Sequence, residues 1–285
     1  MIDEALDRYL PSEESFPPSI HRAMRYSLFA GGKRLRPILA IASCEAVGGE
    51  EAKVLPYACA LEMIHTYSLI HDDLPALDDD DYRRGVPTCH RRFGEAMAIL
   101  AGDALLTEAF RLMSDAEALG ALSAEVALEV INEIATSAGS SGMVGGQTVD
   151  VEAEGKEEVD PSVLHWIHQH KTGAMIRAAV RTGAKVGGAG EEELEAITRY
   201  GEAVGLAFQI VDDILDVEGE EAELGKEVGR DEKRGKATYP RVFGLEEAKE
   251  EARRLLGVAI DSLRPLDQRA DPLRGIAHFV VARRI

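Results

Sequence analysis

Basic residues are scarce in this 285-residue chain: 32 Lys and Arg stand against 51 Asp and Glu, for a formal net charge of −19. Such a surface repels phosphate backbones and anionic lipid, which argues against broad nucleic-acid or membrane-surface binding. Cysteine is scarce too. Cys44, Cys59 and Cys89 are odd in number and show no Cys-x-x-Cys spacing, so no disulfide framework is expected and the reducing cytosol is the natural compartment. The opening MIDEALDRYL carries acids where a secretory leader needs a basic flank and an apolar run. No run of about 18 apolar residues is free of charge, so no membrane-spanning helix is expected. Alternating β-branched runs are nearly absent, as are Pro- or Ser-rich linkers and repeats of fixed period.

What is present is helical periodicity. Leu55, Ala58, Cys59, Met63, Tyr67 and Ile70 form one apolar stripe; Leu194, Ile197, Val204, Phe208, Val211 and Leu215 form another. Ala, Leu, Glu and Arg dominate these segments, in line with their helix propensity. Gly-rich breaks at 31–32, 48–49, 145–146 and 187–190 divide the chain into helical blocks. Helices are expected at roughly 19–30, 36–47, 51–73, 93–115, 118–138, 160–186, 191–217, 245–263 and 272–283. Apolar residues make up 45% of the chain and charged ones 29%, which suits a packed core, so residues 1–285 read as one all-α domain. Two long charged stretches, 74–92 and 217–240, fall between helices, and loops of that length in a compact domain usually carry function.

Both stretches adjoin aspartate clusters. His71-Asp72-Asp73-Leu74-Pro75-Ala76-Leu77-Asp78-Asp79-Asp80-Asp81 ends one expected helix, and Gln209-Ile210-Val211-Asp212-Asp213-Ile214-Leu215-Asp216 lies near the end of another. On a helix Asp212 and Asp216 fall about 40° apart, one turn from each other. Pro75 biases Leu74 out of helical dihedrals, so Asp78 can turn back toward Asp72 instead of lying about 240° around a continuous helix. A solvated acidic face is the ordinary explanation of a charge run. Here, however, the carboxylates end apolar segments, where stacked negative charge is costly without a cation. Carboxylate oxygens are the ligands Mg²⁺ requires, and that ion keeps waters and bridges to phosphate.

The few cations stand out against this background. Gly31-Gly32-Lys33-Arg34-Leu35-Arg36-Pro37 sets positive charges behind two glycines at an expected helix start, where backbone amides, the helix dipole and Arg forks all suit phosphate oxygens. Arg83-Arg84-Gly85 and Arg91-Arg92 follow the first acidic cluster, and Lys171-Thr172, Lys226, Lys233-Arg234 and Lys236 are dispersed. Together they point to two anion sites. One is reached through cations that bridge the aspartate clusters, the other by direct Lys and Arg contacts.

From Gly31 to Tyr239 the blocks GGKRLRP, MIHTYSLIHDDLPALDDDDYRRG, GDALLTEAF, GGQTVD, HQHKTGAMI, FQIVDDILD and LGKEVGRDEKRGKATYP follow one another. In that order they resemble the trans-isoprenyl diphosphate synthase family, in its short-chain bacterial farnesyl type. The resemblance implies the isoprenoid synthase fold, a single orthogonal bundle of about ten core helices around a central cavity, assembled as a homodimer. It implies a cytoplasmic enzyme acting on isopentenyl diphosphate and an allylic diphosphate, with Mg²⁺ as cofactor, about three ions, and Mn²⁺ as a substitute. By the same resemblance Asp72, Asp78 and Asp212 bind metal, while Asp73, Asp213 and Asp216 support them or hold metal-bound water. Arg83, Lys171 and Lys226 hold the allylic diphosphate, and Thr172 and Gln209 face the carbocation. Lys171, Thr172 and Gln209 form the catalytic set. Gly32, Lys33, Arg36, His65 and Arg84 grip isopentenyl diphosphate without metal. The proton lost goes to the departing diphosphate, in keeping with the absence of a Ser-His-Asp or Cys-His arrangement.

Tyr67 lies five residues before Asp72, about 7.5 Å down the helix, and Ser68 four before. The resemblance makes this region the cavity floor. Tyr67 would stop growth and the small Ser68 would leave room for two additions, giving farnesyl diphosphate, C15, with geranylgeranyl diphosphate, C20, as the alternative. A terpene cyclase would carry a different second motif, and a non-catalytic partner subunit would have lost one or both. A plain acidic scaffold would bind no diphosphate. Glu62-Met63-Ile64-His65 has the Glu-x-x-His spacing of di-iron bundles, but no second copy exists. Gln147 and Asp150 fall in a family block, while 150–160 otherwise reads as solvated surface.

Overall fold

The chain adopts the expected all-α architecture. The computed structural model describes residues 1–116, 120, 122–156, 158–218 and 236–282. Helices α1 (Ile2–Tyr9) and α2 (Pro18–Leu28) lead into α3 (Leu35–Ala46) and α4 (Glu51–Asp72). A two-stranded ribbon, β1 (Tyr82–Arg83) and β2 (Val86–Pro87), precedes α5 (Cys89–Phe93), α6 (Glu95–Met113), α7 (Ala124–Ala138) and α8 (Met143–Ala153). Helix α9 (Pro161–Ile167) runs through a π-helical turn, His168–Gly173, into α10 (Ala174–Gly187). Helices α11 (Glu191–Glu218), α12 (Tyr239–Phe243), α13 (Leu245–Ser262) and α14 (Asp271–Val281) complete the order. No helix among the described residues is long and apolar enough to cross a membrane.

Helix α4 is buried on nearly every side between Tyr57 and Tyr67, as a helix without a polar face must be. It packs between α3 and α6, while α11 packs between α10 and α13. Helices α3 and α10 close the bundle between them, and small residues set how near they come. A Cβ at Gly183 of α10 would overlap the Ala40 carbonyl oxygen and lie 2.9 Å from Cβ of Ser43.

The structure departs from the sequence-based expectation in four places. Helices α1, α5, α8 and α12 form wholly or mostly outside the expected spans. The Gly145-Gly146 pair, read as a break, lies inside α8, because a Cβ at Gly146 would sit 2.5 Å from Cα of Lys171. Gly146 permits contact with the π turn and Gly145 clears the Ser140 carbonyl; neither ends a helix. The helix expected at 118–138 starts at Ala124, where the Ser123 hydroxyl accepts the Val126 amide at 3.2 Å and caps it. Residues 117–119 and 121 lie outside the described residues. Segment 74–92 is more regular than expected. Tyr82 pairs with Pro87 and Arg83 with Val86, and the connecting Arg84-Gly85 takes φ +54° and +79°, the two left-handed residues a tight hairpin demands. Of segment 217–240, residues 219–235 lie outside the described residues, so the expectation for Lys226 does too.

Gly183→Ala is expected to cost about 1–3 kcal/mol through overpacking. Gly257→Ala, in the exposed interior of α13 with nothing near its Cβ position, is expected to stabilise by about 0.4–1 kcal/mol. Urea denaturation midpoints should move in opposite directions.

Candidate active site

Past Asp72 the chain doubles back. The Asp78 amide donates to the Asp72 carbonyl at 2.7 Å and the Asp80 amide to the Asp73 carbonyl at 3.1 Å, a return that Pro75 makes possible by stopping the helix. Asp72 and Asp78 thereby line a cavity of about 830 Å³. Asp73 is buried behind them and accepts from Arg83, at 2.6 Å from Nε and 2.5 Å from Nη2. It holds Arg83 in place and does not border the cavity. Burial, opposed by Lys171 and aided by Asp78, pushes the Asp72 carboxyl up to about 6.

The second cluster faces the same space, with Asp212 and Asp216 on its wall. Asp213 also borders the cavity but is buried and held by several partners. Its Oδ2 accepts the Tyr239 amide at 2.8 Å and lies 3.3 Å from His168 Nε2, while Oδ1 accepts from Gln209 Nε2 at 3.0 Å. Gln209 Oε1 in turn accepts the Thr172 hydroxyl at 2.8 Å. This bond depends on Gly205, whose missing Cβ would stand 3.0 Å from Cα of Gly173 and hold α11 off the π turn. Lys171, next in that turn, donates to Asp150 at 2.6 Å. Burial works against its charge, but Asp150, Asp72 and Asp78 outweigh burial and hold the ammonium above the usual lysine range. Lys236 reaches Asp78 at 3.3 Å.

The basic residues divide by surroundings. Arg36 and His65 line the cavity. Burial lowers Arg36 to about 10 despite Glu62, and burial together with Arg36, Arg84, Arg83 and Arg34 holds His65 well below the usual histidine range, hence neutral. Arg34 starts α3 at φ +50° and is structural: it pairs with Glu62 at 2.8 Å and Asp3 at 2.9 Å, and donates to the Leu28 carbonyl at 2.8 Å. Glu62 is thus the counterion of Arg34, which gives Glu62-x-x-His65 a plain explanation. Gly32, at φ +132°, lies against Arg84, whose Cζ would be 2.6 Å from a Cβ there; Arg84 donates to the Gly31 carbonyl. Lys33 is exposed and borders a separate apolar groove between α3 and α14. Tyr67 and Ser68 line the main cavity, Tyr67 only 7% exposed.

Three participants escaped the sequence reading in whole or part. Nothing but membership of HQHKTGAMI marked His168, and Lys236 was one dispersed cation among several. Asp150 belongs to an acidic stretch, yet its side chain is 12% exposed and engaged with Lys171. Among the described residues no three His, Cys, Asp or Glu side chains approach closely enough to hold a metal ion alone. Two separated sets of carboxylates, Asp72 with Asp78 and Asp212 with Asp216, suit a hard cation that takes one or two carboxylates and completes its shell with phosphate oxygens and water.

The family model described as polyprenyl synthetase matches residues 17–269. A geranylgeranyl diphosphate synthase from Cyanophora paradoxa is 48% identical over 283 residues, 99% of this chain and 93% of the relative. A farnesyl diphosphate synthase from Geobacillus stearothermophilus is also 48% identical, over 99% of this chain and 94% of the relative. Among solved structures, an FPP/GFPP synthase from Zymomonas mobilis matches with a TM-score of 0.88 at 38% identity, covering 99% of this chain and 95% of that one.

Arg34→Met should orphan the buried Glu62 carboxylate and cost about 3–5 kcal/mol, whereas Arg34→Met with Glu62→Met should recover most of the loss. Lys33→Ala should stay within about 0.5 kcal/mol of the parent in the same urea titration.

Proposed function

The chain belongs to the polyprenyl synthetase family and is a short-chain trans-prenyltransferase, and we propose that it builds farnesyl diphosphate from isopentenyl diphosphate with dimethylallyl and then geranyl diphosphate. The observation that carries this reading is a single cavity bordered at once by Asp72, Asp78, Asp212, Asp216, Lys171 and Tyr67. Lys171, kept charged by Asp150, and Arg83, aimed by Asp73, would grip the allylic diphosphate. Asp72, Asp78, Asp212 and Asp216 would hold Mg²⁺, which when bound neutralises the leaving diphosphate and eases cleavage of the allylic C–O bond. Arg36 and Arg84 would bind the second diphosphate, and His65, being neutral, offers a hydrogen bond without adding to their repulsion. Thr172 and Gln209, tied to Asp213, border the space where positive charge develops, while Leu77, Met143, Ile167 and Phe208 keep water away from it.

Relatives named for C15 and for C20 products match equally well, so Tyr67 decides the product assigned here. Its buried ring on the cavity wall supports a stop at C15.

Incubated with isopentenyl and geranyl diphosphates, the purified chain should make a C15 product with Mg²⁺ and none with EDTA. No prenyl product in the presence of metal would sink the enzyme reading, and a mainly C20 product would replace the C15 assignment alone. Asp72→Asn and Asp212→Asn should each lower kcat about 10²- to 10³-fold, the scale for losing one preorganised electrostatic contact. Tyr67→Ala should lengthen the product by chromatographic analysis.

A further inference from the structure

Tyr67 can stop a growing chain only if it does not swing aside. A longer prenyl tail gains by burying more apolar surface, so its end presses on the phenol ring. That ring is met by His71, one turn further along α4, with centroids 5.7 Å apart and planes at 83°, an edge-to-face contact. His71 is itself fixed from another helix. Its Nε2–H donates to the Ile99 carbonyl of α6 at 3.0 Å, with an Asp103 carboxylate oxygen 4.0 Å away. The imidazole fits there because residue 102 has no side chain: a Cβ at Gly102 would overlap Nε2 and lie 2.6 Å from Cδ2. Gly102 is buried in the interior of α6, where glycine is otherwise unfavourable, so its use there has a packing reason.

We propose that His71, seated in the Gly102 gap of α6, is a positioning residue for product length: it braces the Tyr67 ring so that the cavity floor does not yield to the growing chain. The proposal rests on the C15 reading given above. It makes the floor a joint property of α4 and α6. A gap on α6, outside both diphosphate and metal sites, then acts on specificity through two aromatic rings.

The test reads the C20-to-C15 ratio made by the full chain from isopentenyl and dimethylallyl diphosphates with Mg²⁺. His71→Ala and Gly102→Ala should each raise that ratio about two- to ten-fold, the equivalent of losing one aromatic contact. Tyr67→Ala should raise it at least as far, and His71→Ala added to Tyr67→Ala should raise it no further, because nothing is left to brace. The ratio is internal to each reaction, so a partly unfolded variant lowers total product without moving it. An unchanged ratio in both His71→Ala and Gly102→Ala, with Tyr67→Ala lengthening the product, would overturn the brace and leave the gate standing. An equal further rise in the double variant would also overturn it, since His71 would then be acting on the chain directly. Should Tyr67→Ala still give C15, the gate itself fails and the brace with it.

Discussion

Like charges crowded at the edge of an apolar cavity repel one another, and this site stands because its carboxylates are matched to partners from elsewhere in the chain. Asp73 has Arg83 of the ribbon, Asp78 has Lys236 ahead of α12, and Asp213 has the Tyr239 amide and Gln209. Lys171, close enough to Asp72 to lower its pKa, is balanced by Asp150 of α8. Elements far apart in sequence therefore converge on one place for an electrostatic reason as well as an apolar one. The chain's net charge of −19 takes on local meaning here, since residues 72–81 and 212–216 hold nine of its 51 acids. Acids that repel nucleic acid in aggregate would, under the proposed function, receive a small diphosphate where metal and ammonium groups meet them.

Bringing those partners together required departures from regular helix. The π turn presents both Lys171 and Thr172 to the cavity, and such turns recur at functional sites because they change which side chains face inward. Gly146 and Gly205 let α8 and α11 come against that turn. The Arg84-Gly85 hairpin turns Arg83 back onto Asp73. Arg34 has a different part: buried against Glu62, Asp3 and the Leu28 carbonyl, it joins α1, α2 and α4 behind the wall that carries His65.

The two helices that carry the aspartates were legible because their apolar stripes are long and regular, and the aspartates because so many carboxylates rarely end an apolar segment. Helix α8 was not legible. A Gly-Gly pair reads locally as a break, whereas Gly146 serves a contact with Lys171, distant in sequence. Lys33, Arg34 and Arg36 look alike in one short block, yet one is exposed beside a groove, one is a buried strut and one lines the cavity. The left-handed residue at Arg34 separates them, and nothing in the block announces it. Each Asp-Asp pair could have been divided in advance. Neighbours on a helix point about 100° apart, so the two carboxylates of a pair meet different surroundings. In each pair the first, Asp72 or Asp212, lines the wall; of the second, Asp73 turns away to Arg83, while Asp213 reaches the wall but is bound by Gln209 and the Tyr239 amide.

An ionised aspartate can only accept hydrogen bonds. With Asp213 at its inner end, the sequence of bonds leading to the cavity runs one way. Gln209 must turn its NH₂ inward, 3.0 Å from Asp213, and its oxygen outward; Thr172 then commits its hydroxyl hydrogen to that oxygen at 2.8 Å. What Thr172 has left to offer the cavity is lone pairs, with no proton to donate. A buried carboxylate two links away thus sets the polarity of the surface that a carbocation would meet, and a neutral hydroxyl becomes an electron-rich wall through the direction in which its hydrogen points.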